Sequence, residues 1–220
     1  MTNLCCVRAR GRVALHLLFV LLGLFGARLS AAEGVWAKSG RVPSVEIEGE
    51  QTVLSPNGRR SVVGTRDGLR LDERAGAASV ALPVVALPPL WEVNWAPDSL
   101  FLAVNASDGG VVGTWDTTIF TLRTDGLVTA FPMSSLIRRA AHTFAKCDSP
   151  EEVNVALVAW EKTGVIAHIV AEVPPHSSCR NMGSLRGYRV EVKSERILEV
   201  LSEPNLKKRW AEELGLRFSR

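Results

Sequence analysis

The stretch "VNWAPDSLFLAVNASDGG", Val93 to Gly110, decides the fold. Trp95 ends one apolar run, Ala96-Pro97-Asp98-Ser99 breaks it, Leu100 to Asn105 resumes it, and Ser107-Asp108-Gly109-Gly110 turns the chain. Pro fixes φ and Asp bonds nearby backbone, so the break reads as a tight corner between two strands. The strand after the corner is apolar on both faces, as a strand packed between two layers must be. A unit of this kind either stands alone or is one copy of several.

It recurs. Upstream, "TVLSPNGRRSVVGTRDGLRLDE" (Thr52 to Glu73) has the same order: an apolar run, Ser55-Pro56-Asn57-Gly58, an apolar patch at Val62-Val63, then Arg66-Asp67-Gly68 and another alternating run. Pro56 and Pro97 lie 41 residues apart. Downstream, "VALVAWEKTGVIAHIVAEV" (Val155 to Val173) aligns Trp160 with Trp95, Glu161-Lys162-Thr163-Gly164 with the corner, and Val165 to Val170 with Leu100 to Asn105. The 65-residue gap between the two Trp residues is one period plus an insertion. Periods near forty with alternating strands and Gly/Asp turns mark four-stranded antiparallel units. Leu54, Trp95 and Trp160 are then expected at equivalent places in successive meanders. In the second copy Trp115, Thr117, Ile119 and Thr121 face one way and Asp116, Thr118, Phe120 and Leu122 the other. Thr124-Asp125-Gly126 turns the chain into Leu127 to Phe131. Gly187 to Val192 and Arg196 to Leu201, joined at Lys193-Ser194-Glu195, close the last copy.

"LSPNG", "VNWAPDS" and "VAWEKTG" resemble the WSPDG-type start of TolB-type and WD-like β-propeller repeats. Trp115-Asp116 has no Gly-His partner before it and adds nothing. The resemblance spans most of residues 50–201 and implies architecture, not activity. It also departs from the pattern. Propellers have four to eight blades and only three copies are countable, because Val35 to Ile47 is too short for a fourth. The expected fold is all-β with minor helices: three antiparallel propeller-blade-like sheets in an incomplete propeller, plus a C-terminal helix. Its open edges need covering by helices, an N-terminal strand or another chain.

Two helices suit that task. Leu136, Ile137, Ala140, Ala141 and Phe144 form one apolar stripe, with Ser134 or Ser135 available as a cap and Arg138, Arg139 and His142 on the other side. Pro204 fits a first helical turn, Leu206, Trp210 and Leu214 recur every four residues, and Gly215 ends the pattern. This second helix reads as a cap on a sheet edge. Ser149-Pro150-Glu151-Glu152 has the form of a capping box opening a single turn.

Residues 1–32 read as a signal peptide. Arg8, Arg10 and Arg12 precede an apolar run of about fifteen residues, Val13 to Ala27, short for a spanning helix, and Ser30-Ala31-Ala32 offers a cleavage site after Ala32. Residues 33–220 then form a single propeller-like β domain, periplasmic or secreted, with no integral membrane segment. Removing four Arg and no acidic residue leaves 22 basic residues against 23 acidic ones, a net charge of −1. The basicity of the whole chain belongs to the export signal, and nucleic acid is not an expected partner.

Cys147 and Cys179, the two cysteines beyond the signal, are expected to form a disulfide. The competing reading makes Cys179 a nucleophile with His176 as base. No catalytic, metal-binding or cofactor motif is present, and no residue is assigned to those tasks. His168, in an apolar strand, reads as a satisfied sheet histidine. The long polar insertion "PPHSSCRNMG", Pro174 to Gly183, pinned by the disulfide, is the candidate binding loop, with His176, Arg180 and Asn181 as its candidate residues. The functional expectation is an exported, non-catalytic protein-interaction or scaffold module with a protein partner or self-association. The alternative is an exported hydrolase or enzyme inhibitor with a loop-borne site.

Overall fold

The computed structural model describes residues 34–42, 45–46, 49–50, 52–74, 79–84, 90–107, 109, 114–123, 128–147 and 151–219. The expected signal peptide, the expected Asp125-Gly126 turn and the Ser149-Pro150 start of the expected capping box lie outside the described residues. A two-stranded hairpin, β1 (Val45–Glu46) and β2 (Gly49–Glu50), comes first. Three four-stranded antiparallel sheets follow. Sheet 1 is β3 (Thr52–Leu54), β4 (Arg60–Thr65), β5 (Gly68–Glu73) and β6 (Val80–Ala81). Sheet 2 is β7 (Trp91–Trp95), β8 (Phe101–Ser107), β9 (Trp115–Leu122) and β10 (Val128–Pro132). Sheet 3 is β11 (Asn154–Trp160), β12 (Ile166–Glu172), β13 (Leu185–Glu191) and β14 (Arg196–Ser202). Each sheet is a meander whose strands pair in chain order, and none closes on itself among the described residues.

Leu54, Trp95 and Trp160 each end the first strand of their sheet. The corner after them is built identically. The amides of Ser55, Ala96 and Glu161 donate to the carbonyls of Arg60, Phe101 and Ile166, each at 2.9 Å. Gly58, Ser99 and Gly164 donate back to Ser55, Ala96 and Glu161, at 2.9, 2.9 and 2.8 Å. All three sit at positive φ, 66°, 61° and 71°. Glycine takes that conformation freely, while Ser99 does so at a cost of roughly 1–2 kcal/mol. The Ser99 hydroxyl accepts the Asn57 amide of the preceding corner at 3.1 Å, which offsets part of the strain.

The same corners fasten sheet to sheet. The indole Nε1 of Trp95 donates to Val53 O at 3.2 Å, and that of Trp160 to Asn94 O at 3.3 Å. Val53 and Asn94 are the residues just before Leu54 and Trp95, so one contact occurs twice in register. Around it the faces interdigitate. Val62, Leu69 and Leu71 of sheet 1 meet Trp91, Val93, Leu102, Val104, Phe120 and Leu122 of sheet 2. The opposite face of sheet 2, Phe101, Ala103 and Ile119, meets Val155, Leu157, Ile169, Tyr188 and Val190 of sheet 3. Burial on both faces explains why every residue of β8 is buried.

The helices close two sides of this core. In α1 (Met133–Ala140) and the turn after it, Met133, Ile137, Ala141 and Phe144 pack between sheets 2 and 3. Neither serine caps the helix: it starts from Pro132, and the buried Ser134 hydroxyl accepts the Thr117 amide of β9 at 2.7 Å. Arg138 does not face solvent freely either. Its guanidinium bridges Asp116 (2.8 Å) and Glu152 (2.9 Å) and donates to Val153 O. Glu151 to Val153 are irregular rather than a helical turn. The C-terminal helix α2 (Glu203–Arg209) packs Leu206, with Trp210 just beyond it, on Val158, Val170, Leu185 and Leu201 of sheet 3. It stops short of Leu214 because the chain turns at Trp210 and then runs beside the N-terminal segment.

Candidate functional site

The expected disulfide joins Cys147 to Cys179, 32 residues apart in sequence. Cys179 is therefore a cross-link, not a nucleophile, and the pairing of its thiol with His176 is overturned. The insertion between β12 and β13 is tied down beyond that bond. Asn181 accepts the Lys146 amide on Oδ1 at 2.8 Å and donates from Nδ2 to Phe144 O at 3.0 Å. Arg180 contributes its backbone amide to Lys146 O at 2.9 Å. The Glu151 carboxylate accepts both the amide and the hydroxyl of Ser178, which hold its carboxyl below the usual range. Of the three candidate loop residues, Asn181 is thus consumed as a clamp, while His176 and Arg180 are exposed. The arrangement staples a loop.

Polar groups missed by the sequence reading lie inside the core. Glu92, the second residue of β7, is 1% exposed. Its two carboxylate oxygens accept the amides of Trp36 (2.9 Å) and Ala37 (3.0 Å), with Asn105 Nδ2 at 3.3 Å. Gly34 and Gly40 lie against this carboxylate so closely that a Cβ would come within 2.8 Å and 2.4 Å of its oxygens. Burial pushes the Glu92 pKa up to about 7, although the backbone amides and Asn105 pull it back down. Asn105, on β8, also spans to sheet 3, donating to Leu157 O at 2.9 Å and accepting the Leu157 amide at 2.8 Å. Asn154 Oδ1 accepts the Trp115 amide at 3.0 Å, and its Nδ2 donates to Glu172 at 2.8 Å; Arg217 then holds Glu172 at 2.6 Å. These groups clamp the segments at both ends of the domain onto the sheets. Trp36, fully buried, packs edge-on against Trp115 and Phe218.

His168 on β12 is a satisfied sheet histidine. It stacks on Trp210 at 4.4 Å, with Nδ1 2.7 Å from Glu213 and Nε2 3.2 Å from Glu161. Burial works against the Glu161 charge, but Arg189 at 2.7 Å and the histidine outweigh it and leave the carboxyl below its ordinary value. Among the described residues no group of three His, Cys, Asp or Glu side chains is arranged to hold a metal ion.

A cavity of about 490 Å3 opens at the corner between sheets 1 and 2. Its walls are the first corner (Asn57 to Arg60), the end of β5 with Arg74, and the second corner at Ser99-Leu100. Among its described residues, three arginines against one glutamate leave two positive charges. Arg60 is paired with Glu73 at 3.2 Å and donates to Arg123 O at 2.6 Å. The cavity offers positive charge and hydrogen-bond donors. The chain matches no protein-family model and no curated protein.

Proposed function

We propose that the chain is an exported, non-catalytic interaction module whose three meanders are propeller-like repeats in an incomplete ring. Residues 1–32 serve as its signal peptide and residues 33–220 as its single domain, in the periplasm or outside the cell. The disulfide, and the lack among the described residues of a helix long and apolar enough to cross a membrane, are compatible with that location. The observation that carries the reading is the exposed Leu54 at the first corner. Sheet 3 has its outer face covered by Leu206 and Trp210. Sheet 1 instead leaves Leu54 56% exposed, at the position where Trp95 and Trp160 each reach back to a preceding sheet. A protein surface that covers the exposed Leu54 is the fitting partner, since the buried polar groups described above are spent on holding the fold.

Light scattering of the purified protein, together with cross-linking in the intact cell envelope, tests this. The expected result is an assembly larger than one chain that is lost on Leu54→Glu. A strict monomer with no cross-linked partner, or a hydrolase activity abolished by His176→Ala, would overturn it.

A further inference from the structure

The three corners are equivalent atom for atom in their backbone bonds, so their side chains can be compared position by position. A third shared bond completes the register: the amides of Arg74, Leu122 and Val192 donate to the carbonyls of Arg59, Leu100 and Val165, at 2.9, 2.9 and 3.0 Å. Three equivalent positions follow. They hold Arg59, Arg60 and Arg74 in sheet 1, Leu100, Phe101 and Leu122 in sheet 2, and Val165, Ile166 and Val192 in sheet 3. The second and third copies are apolar at all three, and Phe101 stacks on Trp160 to fill its corner. The first copy is arginine at all three, and its corner is the open cavity.

We propose that this cavity binds a small anion carrying two or more negative charges on phosphate or carboxylate groups. Three arginines stand where the other two copies carry apolar residues, and departures from the local rule of a repeat concentrate at functional positions. The charges are also available. Arg60 is fixed in place by Glu73 and Arg123 O, whereas the Arg59 and Arg74 side chains have no partner among the described residues. Arginine presents a planar fork suited to two oxygens of one phosphate or carboxylate. The Asn57 Oδ1 already accepts the Ser55 hydroxyl and the Arg59 amide, which leaves its Nδ2 as a further donor at the mouth. Leu100, partly exposed on the opposite wall, gives an apolar surface for the body of the ligand.

Titration calorimetry at low ionic strength, with pyrophosphate and separately with citrate as probes, tests the assignment. Saturable binding is expected for at least one probe, weakened about tenfold or more in an Arg59→Gln/Arg74→Gln variant. Preference for pyrophosphate assigns a phosphate ligand, and preference for citrate a carboxylate one. Hydrogen exchange on the unaltered protein supplies an independent readout, with slowed exchange of the Gly58 to Arg60 and Arg74 amides expected when the binding probe is added. Absence of saturable binding by both probes up to about 10 mM, undiminished binding by the double variant, or protection confined to other segments would overturn the assignment.

Discussion

Glu92→Gln isolates the buried carboxylate and gives a signed pH dependence. Both oxygens of Glu92 accept buried backbone amides, from Trp36 and Ala37. Glutamine can offer its oxygen to only one of them and turns an N–H toward the other. One orphaned buried donor costs about 1–3 kcal/mol, a large part of a typical domain stability of roughly 5–15 kcal/mol. The pH dependence follows from the raised pKa. Glu92 titrates near 7 in the fold against an ordinary 4.5, so between those values the folded state holds a proton that the unfolded state has released. Stability from this group is therefore fully present below pH 4.5 and falls as pH rises toward 7. From pH 5 to pH 8 the loss is about 2–3 kcal/mol. Urea denaturation followed by tryptophan fluorescence at both pH values reads it, and subtracting the variant removes contributions common to both proteins. The advantage of the wild type over Glu92→Gln is expected to shrink across that interval. A constant advantage, or one that grows with pH, would refute the account of Glu92.

Trp210→Ala uncovers the outer face of sheet 3 and removes the ring stacked on His168, so a loss of about 3–5 kcal/mol is expected in the same assay; a loss under about 1 kcal/mol would show that the C-terminal helix does not cover that face. Cys147→Ser with Cys179→Ser is expected to cost about 2–4 kcal/mol and to speed proteolysis between Pro174 and Gly183, and unchanged cleavage would mean that the hydrogen bonds of Ser178, Arg180 and Asn181 fix the loop without the disulfide. Gly164→Ala forces a side chain into a left-handed residue whose Cβ would lie 2.6 Å from the Asp98 carboxyl carbon, so its melting temperature is expected to fall clearly; Gly68→Ala, at φ 135° with open space around it, bears backbone strain alone and should fall less.

What the sequence displayed and what it hid divide by the range of the interactions. Corners are local: Pro97-Asp98 and Pro56-Asn57-Gly58 determine their own geometry over four residues, and the strands between them alternate. Hence the three meanders, the anchors at Leu54, Trp95 and Trp160, and the stripes Ile137-Ala141-Phe144 and Leu206-Trp210 were legible. Glu92 was not, because its partners are amides 55 and 56 residues away, and within "WEVNW" a carboxylate on a two-sided strand reads as solvent-facing. Its available signal was Gly34 and Gly40, spaced to let the backbone close on a side chain. Ser134 was misread as a cap because a helical serine near a first turn looks alike whether it serves its own helix or the neighbouring strand. Asn181 was placed correctly in the loop, but its role as a clamp depends on Phe144 and Lys146. The arginine cavity was visible in principle, since aligning the corners already sets Arg59-Arg60 against Leu100-Phe101.

The claim that one sheet module is repeated and fastened to its predecessor by the same contact is tested most directly by hydrogen exchange at the tryptophan indoles, resolved by NMR. Trp95 and Trp160 Nε1–H are both predicted to be protected, and Trp95→Phe is predicted to loosen sheet 1 from sheet 2 while leaving the Trp160 signal protected. Exchange of either indole at the rate of a free side chain would contradict it.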